Sequence, residues 1–244
     1  MIGEPVLILA HGQPSDTHPA TAALADFAAR VAALMPGHPV TSATLAEPGA
    51  LARAMAGRAS GLVFPMFMAG GWFTRVLIPA KLAEVGASGW QVLEPFGCDP
   101  AVHDLCVGLA REAAAPELVL AAHGSSRSLV PSDIAHHVAG RIAQEAVVTR
   151  VAVGFIDQVP QLSSLSGFGP DAVCLPFFAA EGGHVTDDLP QALGQAGFPG
   201  RILPPVGLDP RVPVIVAAAI ARGKTVCAEH CRWAGLGQGS LAGR

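Results

Sequence analysis

The sequence predicts an α/β fold of two tandem modules, each a parallel, doubly wound sheet, related by internal duplication. Three observations predict it. Short apolar runs alternate with longer amphipathic segments along the chain, the pattern of parallel sheets with helices on both faces. Landmarks recur in one order. His11-Gly12 follows an apolar run and so does His123-Gly124. Pro65-Met66-Phe67-Met68-Ala69-Gly70-Gly71 answers to Pro176-Phe177-Phe178-Ala179-Ala180-Glu181-Gly182, and Pro95-Phe96-Gly97-Cys98-Asp99-Pro100 answers to Pro205-Val206-Gly207-Leu208-Asp209-Pro210. Their spacing is nearly constant: His123 lies 112 residues after His11, Pro176 lies 111 after Pro65, and Pro205 lies 110 after Pro95. Finally, 244 residues divide into two halves of ordinary domain size.

The strands expected in the first half are 5–10, 40–45, 61–64 and 91–94; in the second, 117–121, 149–155, 172–175 and 201–203. Helical patterns cover 19–35, 132–145 and 210–222. Asp99-Pro100 and Asp209-Pro210 each offer a carboxylate cap followed by proline at the first helical position. Pro131-Ser132-Asp133 marks another start. The boundary falls within 112–116, giving modules 1–114 and 115–222 and a tail 223–244, whose glycine-rich end 235–244 is expected to be loose.

Composition excludes several roles. Apolar residues make up 51% and charged residues 14%, which supports a large core and argues against disorder. Tyrosine is absent, aromatics are 5%, the net charge is −4 and no basic run occurs, so no nucleic-acid partner is expected. No stretch is apolar enough to span a bilayer, and the run at 6–10 is too short for a signal-peptide core, so a cytoplasmic protein is expected. Five scattered cysteines, Cys98, Cys106, Cys174, Cys227 and Cys231, suggest reduced thiols.

Ligands of parallel α/β sheets bind beyond the carboxyl ends of the strands. His11 and His123 sit at that edge, and His184 reaches it through Glu181-Gly182-Gly183. Imidazole binds borderline metals and takes up a proton near neutral pH. A lone histidine after a strand is often structural, and that reading suits His11. His123 with His184, both beside glycines, favours function. The loop Gly124-Ser125-Ser126-Arg127 suits a carboxylate or phosphate, although serine capping alone would also explain it. No Walker or Gly-x-Gly-x-x-Gly motif is present. Cys227, His230 and Cys231 are too few for a four-ligand zinc site. His136 and His137, neighbours in a helix, face different directions.

The strand-His-Gly-Ser-Ser-Arg opening and the Pro-Phe-Phe-x3-Gly-Gly-His-x3-Asp-Leu-Pro element resemble the CbiX/SirB-type class II chelatases, which insert a divalent metal into sirohydrochlorin. The long members fuse two chelatase-like modules, and the resemblance runs to about Arg222. It implies that His123 and His184 are catalytic and hold the metal, with Glu181 as a further ligand. Asp188-Leu189-Pro190 matches the family's Asp-Ile-Pro. Ser125, Ser126 and Arg127, with Arg75 and Lys81 of the first half, would meet the carboxylates of the tetrapyrrole, and Phe177, Phe178, Met66 and Met68 would face its ring.

In the first half His11 is kept as a secondary candidate, but Phe73 stands where His184 stands and Leu77 where Asp188 stands. Many long members are thought to work from their N-terminal half; this departure favours the C-terminal half. The resemblance implies no tightly bound cofactor, with Fe2+ or Co2+ as substrate metal, and a monomer. Iron, hence siroheme synthesis, is preferred to cobalt and cobalamin synthesis. A non-catalytic metal or tetrapyrrole carrier is a rival. So is a histidine phosphotransferase, disfavoured because Ala10 and Ala122 precede the histidines where such chemistry needs arginine.

Overall fold

The computed structural model describes residues 3–236. It divides into two compact units: Met1–Asp99 with Pro210–Glu229 (unit 1), and Pro100–Asp209 with the segment from His230 (unit 2).

In unit 1 the strands are β1 (Val6–Ala10), β2 (Val40–Thr44), β3 (Ser60–Pro65) and β4 (Gly89–Val92), all parallel, in the order β2-β1-β3-β4. In unit 2 they are β5 (Glu117–Ala122), β6 (Arg150–Phe155), β7 (Val173–Pro176) and β8 (Arg201–Ile202), in the order β6-β5-β7-β8. The order is the same, so the duplication read from the sequence is a duplication of topology. Val6 to Leu9 and Leu118 to Ala121 are wholly buried, as expected of inner parallel strands covered on both faces.

The chain leaves the inner strand for one neighbour and then crosses to the other. In unit 1 that reversal lies between β1 and β3, in unit 2 between β5 and β7. Such a switch point opens a crevice at the carboxyl ends of the two strands. His11 follows β1 and His123 follows β5. A wide π-type turn follows the partner strand in each unit, Phe73–Leu77 after β3 and His184–Asp188 after β7. Topology therefore brings the residues of each pair to one place.

The helices are α1 (Thr17–Leu34), α2 (Ala50–Met55), α3 (Ile78–Glu84), α4 (Pro100–Ala113), α5 (Val130–Glu145), α6 (Leu189–Gln195) and α7 (Val212–Arg222). Asp16 caps α1 by accepting from the His18 amide at 3.2 Å. Helix α4 begins at Pro100, as its Asp-Pro signal predicts. Helix α7 begins two residues after Pro210, because Val206–Leu208 forms a separate short turn ending at Asp209 and Pro213 takes the early helical position. Helices α2, α3 and α6 span only six or seven residues, too short for a helical period to show in the sequence.

The compact units divide at Asp99/Pro100 and Asp209/Pro210, whereas the sequence boundary lies at 112–116. The repeat marks what was duplicated; packing assigns the last helix of each half to the other unit. Helix α4 buries Val102, Leu105, Cys106 and Val107 and packs on α5. Helix α7 buries Val212, Val216 and Ile220 and packs on α1. An apolar stripe does not say which neighbour it covers.

The expected tail is likewise divided. In unit 1, Thr225 bridges Leu93, and the Val226 amide donates to Val92 O at 3.1 Å. In unit 2, Trp233 packs on His103 and His137 with ring centroids 4.6 and 4.8 Å away, and the Gly235 amide donates to Asp133 Oδ2 at 2.9 Å. Gly235 is thus attached; residues 237–244 of the expected loose end lie outside the described residues. Among the described residues no helix is long and apolar enough to cross a membrane.

Candidate metal-handling site

At the switch point of unit 2, His123 and His184 meet. Their Nε2 atoms are 3.1 Å apart and their rings are nearly perpendicular, at 84° with centroids 4.3 Å apart. Both side chains are about half exposed, so the pair is open to solvent rather than sealed in the core.

Each ring is oriented through its other nitrogen. His123 Nδ1 lies 3.1 Å from the carbonyl oxygen of Gly124, whose φ of 76° turns the chain back under the ring. His184 Nδ1 lies 2.7 Å from Asp188 Oδ2, one turn later. A carbonyl and a carboxylate can only accept, so both Nδ1 atoms carry the hydrogen. In the neutral state both Nε2 atoms then present lone pairs to each other, and something positive between them would relieve the repulsion. A shared proton would do so, and so would a metal ion. Two metal–nitrogen bonds of about 2.1 Å place their nitrogens roughly 3.0 Å apart at a right angle and about 3.4 Å apart at the tetrahedral angle. The observed separation lies between them.

Asp157 completes the group and is a residue that sequence reasoning missed. It follows β6, its amide donates to His123 O at 2.9 Å, and its Oδ2 stands 3.6 Å from His123 Nε2. A carboxylate beside each histidine can stabilise the positive charge that either imidazole gains on taking a proton. No motif marks Asp157 in the sequence; strand pairing of β6 with β5 brings it in. Its only sequence signal was its place just past a strand end.

Ser125 accepts from the Arg127 amide at 3.1 Å, and its own amide donates to Gln158 Oε1 at 2.9 Å. The Arg127 guanidinium has no hydrogen-bond partner among the described residues, and both Arg127 and Ser126 are exposed. Glu181 is not brought to the histidines. It sits exposed on the loop before the π turn, outside the helical spacing that carries Asp188 to His184, and it makes no hydrogen bond or ion pair among the described residues. Among the described residues no group of three His, Cys, Asp or Glu is placed to enclose a metal ion, the tail residues Cys227, His230 and Cys231 included. Phe177 and Phe178 are core residues, 2% and 8% exposed, because β7 and its following loop turn them inward, and Met66 is buried at 7%. They therefore offer no surface to a ring. Arg75 and Lys81 belong to unit 1. Arg75 Nη1 donates to Glu229 O at 3.1 Å, and Lys81 is paired with Glu84 at 2.8 Å.

The equivalent place in unit 1 has the same frame and different chemistry. His11 Nδ1 lies 2.9 Å from Gly12 O, as His123 does from Gly124 O. Opposite it stands Phe73, ring centroids 5.3 Å apart at 75°. Leu77 replaces Asp188. Ala46, whose amide donates to His11 O at 2.9 Å, replaces Asp157. One histidine and two carboxylates are missing from this copy.

The CbiX family model matches residues 117–222. A solved structure of CbiX, the terminal enzyme for biosynthesis of siroheme in denitrifying bacteria, is 45% identical to the chain. It superposes with a TM-score of 0.84, covering 91% of this chain and 100% of that one. The chain belongs to the CbiX family. The CbiX match over 117–222 takes in His123, Asp157, His184 and Asp188. SirB from Bacillus subtilis with Fe3+ is 15% identical with a TM-score of 0.70 over 89% of this chain and 94% of that one, a likeness of fold. So is that to DR2241 from Deinococcus radiodurans, a multi-domain protein, at 20% identity and 0.64 over 89% of this chain and 54% of that one. No curated protein sequence matches the chain.

Proposed function

We propose that this CbiX-family protein is a sirohydrochlorin chelatase that inserts Fe(II) in siroheme biosynthesis, and that the chemistry takes place in unit 2 at His123 and His184. The observation that carries the reading is the pair of Nε2 lone pairs 3.1 Å apart, with both Nδ1 atoms committed elsewhere. The 45% identity to the siroheme-forming CbiX over 91% of the chain supports the choice of reaction.

Insertion breaks two pyrrole N–H bonds, releases two protons and exchanges the ion's former ligands for four macrocycle nitrogens. The metal is a substrate, so it must be held loosely. Two imidazoles leave most coordination positions to water and then to the macrocycle, whereas a closed set of four ligands would trap the ion. Asp188 fixes the His184 tautomer and strengthens Nε2 as a donor. As the ion passes to the ring, the freed Nε2 atoms can take up the pyrrole protons, with Asp157 and Asp188 compensating the charge. Ser125, Ser126 and the Arg127 guanidinium, unpaired among the described residues, lie two to four residues beyond His123 and suit the carboxylates of a tetrapyrrole.

Anaerobic sirohydrochlorin metallation, followed by absorbance, tests the reading. The wild type turns over many times per protein with Fe(II), and His123→Ala and His184→Ala lose insertion. A single equivalent of bound metal without turnover would mean a carrier. Turnover with Co(II) alone would move the protein to cobalamin synthesis.

A further inference from the structure

The edge of unit 1 has lost the groups that handle a free ion, yet it exposes an aromatic surface. Trp72 is 57% exposed, Phe73 37% and Val76 52%. Phe73 packs edge-on against Trp72 and His11 at 5.3 Å each and lies 5.8 Å from Phe67. The matching positions in unit 2 are Gly183, His184 and Asp187, none of them apolar side chains. Exposed aromatics that meet at a ligand-binding edge mark a binding surface. His11 adds a nitrogen: its Nδ1–H faces Gly12 O, which leaves the lone pair on Nε2, an atom with no hydrogen-bond partner among the described residues.

A single imidazole with no carboxylate beside it holds a free divalent ion only weakly, far short of a three- or four-ligand site. A metal already held by four macrocycle nitrogens needs only one axial donor, and its ring needs a flat apolar partner.

We propose that the strand edge of unit 1 holds the metallated product, a planar anionic metallo-tetrapyrrole, with His11 Nε2 as its one axial ligand and Trp72 and Phe73 against its face. The identity of the macrocycle rests on the proposed function; the geometry is that of unit 1 alone. No bond is broken: the imidazole lone pair replaces a water at the axial position.

The test is anaerobic titration of preformed cobalt(II) sirohydrochlorin into the full chain carrying His123→Ala and His184→Ala, read by visible absorbance and by electron paramagnetic resonance. The expected result is saturable binding with the splitting of one axial nitrogen. Adding His11→Ala removes that splitting. Adding Trp72→Ala, a surface change, weakens binding roughly tenfold while keeping the splitting, the usual loss for a stacking aromatic. An unchanged spectrum in the His11→Ala protein, or no binding to the double variant, overturns the proposal. The function reading fails separately, by absence of insertion in the wild type.

Discussion

Gly207→Ala turns the geometry of unit 2 into a quantitative prediction. Gly207 lies in the short turn after β8, and its amide donates to Phe178 O at 2.9 Å. A Cβ there would stand 2.0 Å from Ala179 O and 2.3 Å from Ala179 C, against about 3.4 Å for ordinary contact. Both neighbours are backbone, so no rotamer change relieves the clash. The loop from β7 must retreat by more than 1 Å, and Ala179 is five residues before His184. Overpacking of this kind costs about 1–3 kcal/mol of stability. A displacement of about 1 Å at a reacting group can cost roughly 100-fold in rate.

Unit 1 supplies the control. A Cβ on Gly97 would meet Met68 O at 2.2 Å, the same clash at the equivalent place. Urea denaturation is to be compared with single-turnover metal insertion, at a temperature where circular dichroism shows both variants folded. The expected outcome is a similar stability loss for Gly97→Ala and Gly207→Ala, with the large rate loss confined to Gly207→Ala. Equal rate losses, or a normal rate for Gly207→Ala, would refute the reasoning.

Other consequences are open to direct measurement. Asp188→Asn weakens the hold on the His184 tautomer, and kcat/KM for metallation falls about 10- to 100-fold, the usual range for a carboxylate supporting a metal-binding histidine; a fall of less than twofold would deny Asp188 that role. Burial lowers the pKa of His136 and His137 below the ordinary histidine value; Asp133 partly opposes this for His136, while for His137 Arg141 adds to it and Glu145 opposes it. The unfolded chain titrates near 6.5, above the folded value. The unfolded state therefore gains protons first, so stability is full above about pH 6.5 and declines as pH falls through it. Urea midpoints at pH 7.5 and 5.5 check the sign, and His137→Gln flattens the difference.

The sequence made much of the fold legible for a physical reason. Inner parallel strands are short unbroken apolar runs, so β1, β3, β5 and β7 stand out, and the repeat carried the topology from one half to the other. Where the period was too short to show, as in α2, α3 and α6, the elements were invisible. The exchange of α4 and α7 between units was hidden because a buried stripe names no partner. In the site, His123 and His184 were legible from glycine-flanked positions after strands, and the Phe73 and Leu77 replacements from alignment of the two halves. Asp157 was not, since β6 brings it in by pairing and no motif surrounds it. The resemblance named Glu181 as a further ligand; the π turn that starts at His184 projects Asp188 toward it, and Glu181 lies exposed on the loop before that turn.

We propose that one half of a duplicated frame performs the chemistry. Single-turnover Fe(II) insertion into sirohydrochlorin by His184→Ala and His11→Ala, side by side, tests it most directly. His184→Ala is expected to abolish insertion and His11→Ala to slow it far less. A dead His11→Ala beside a fully active His184→Ala would contradict it.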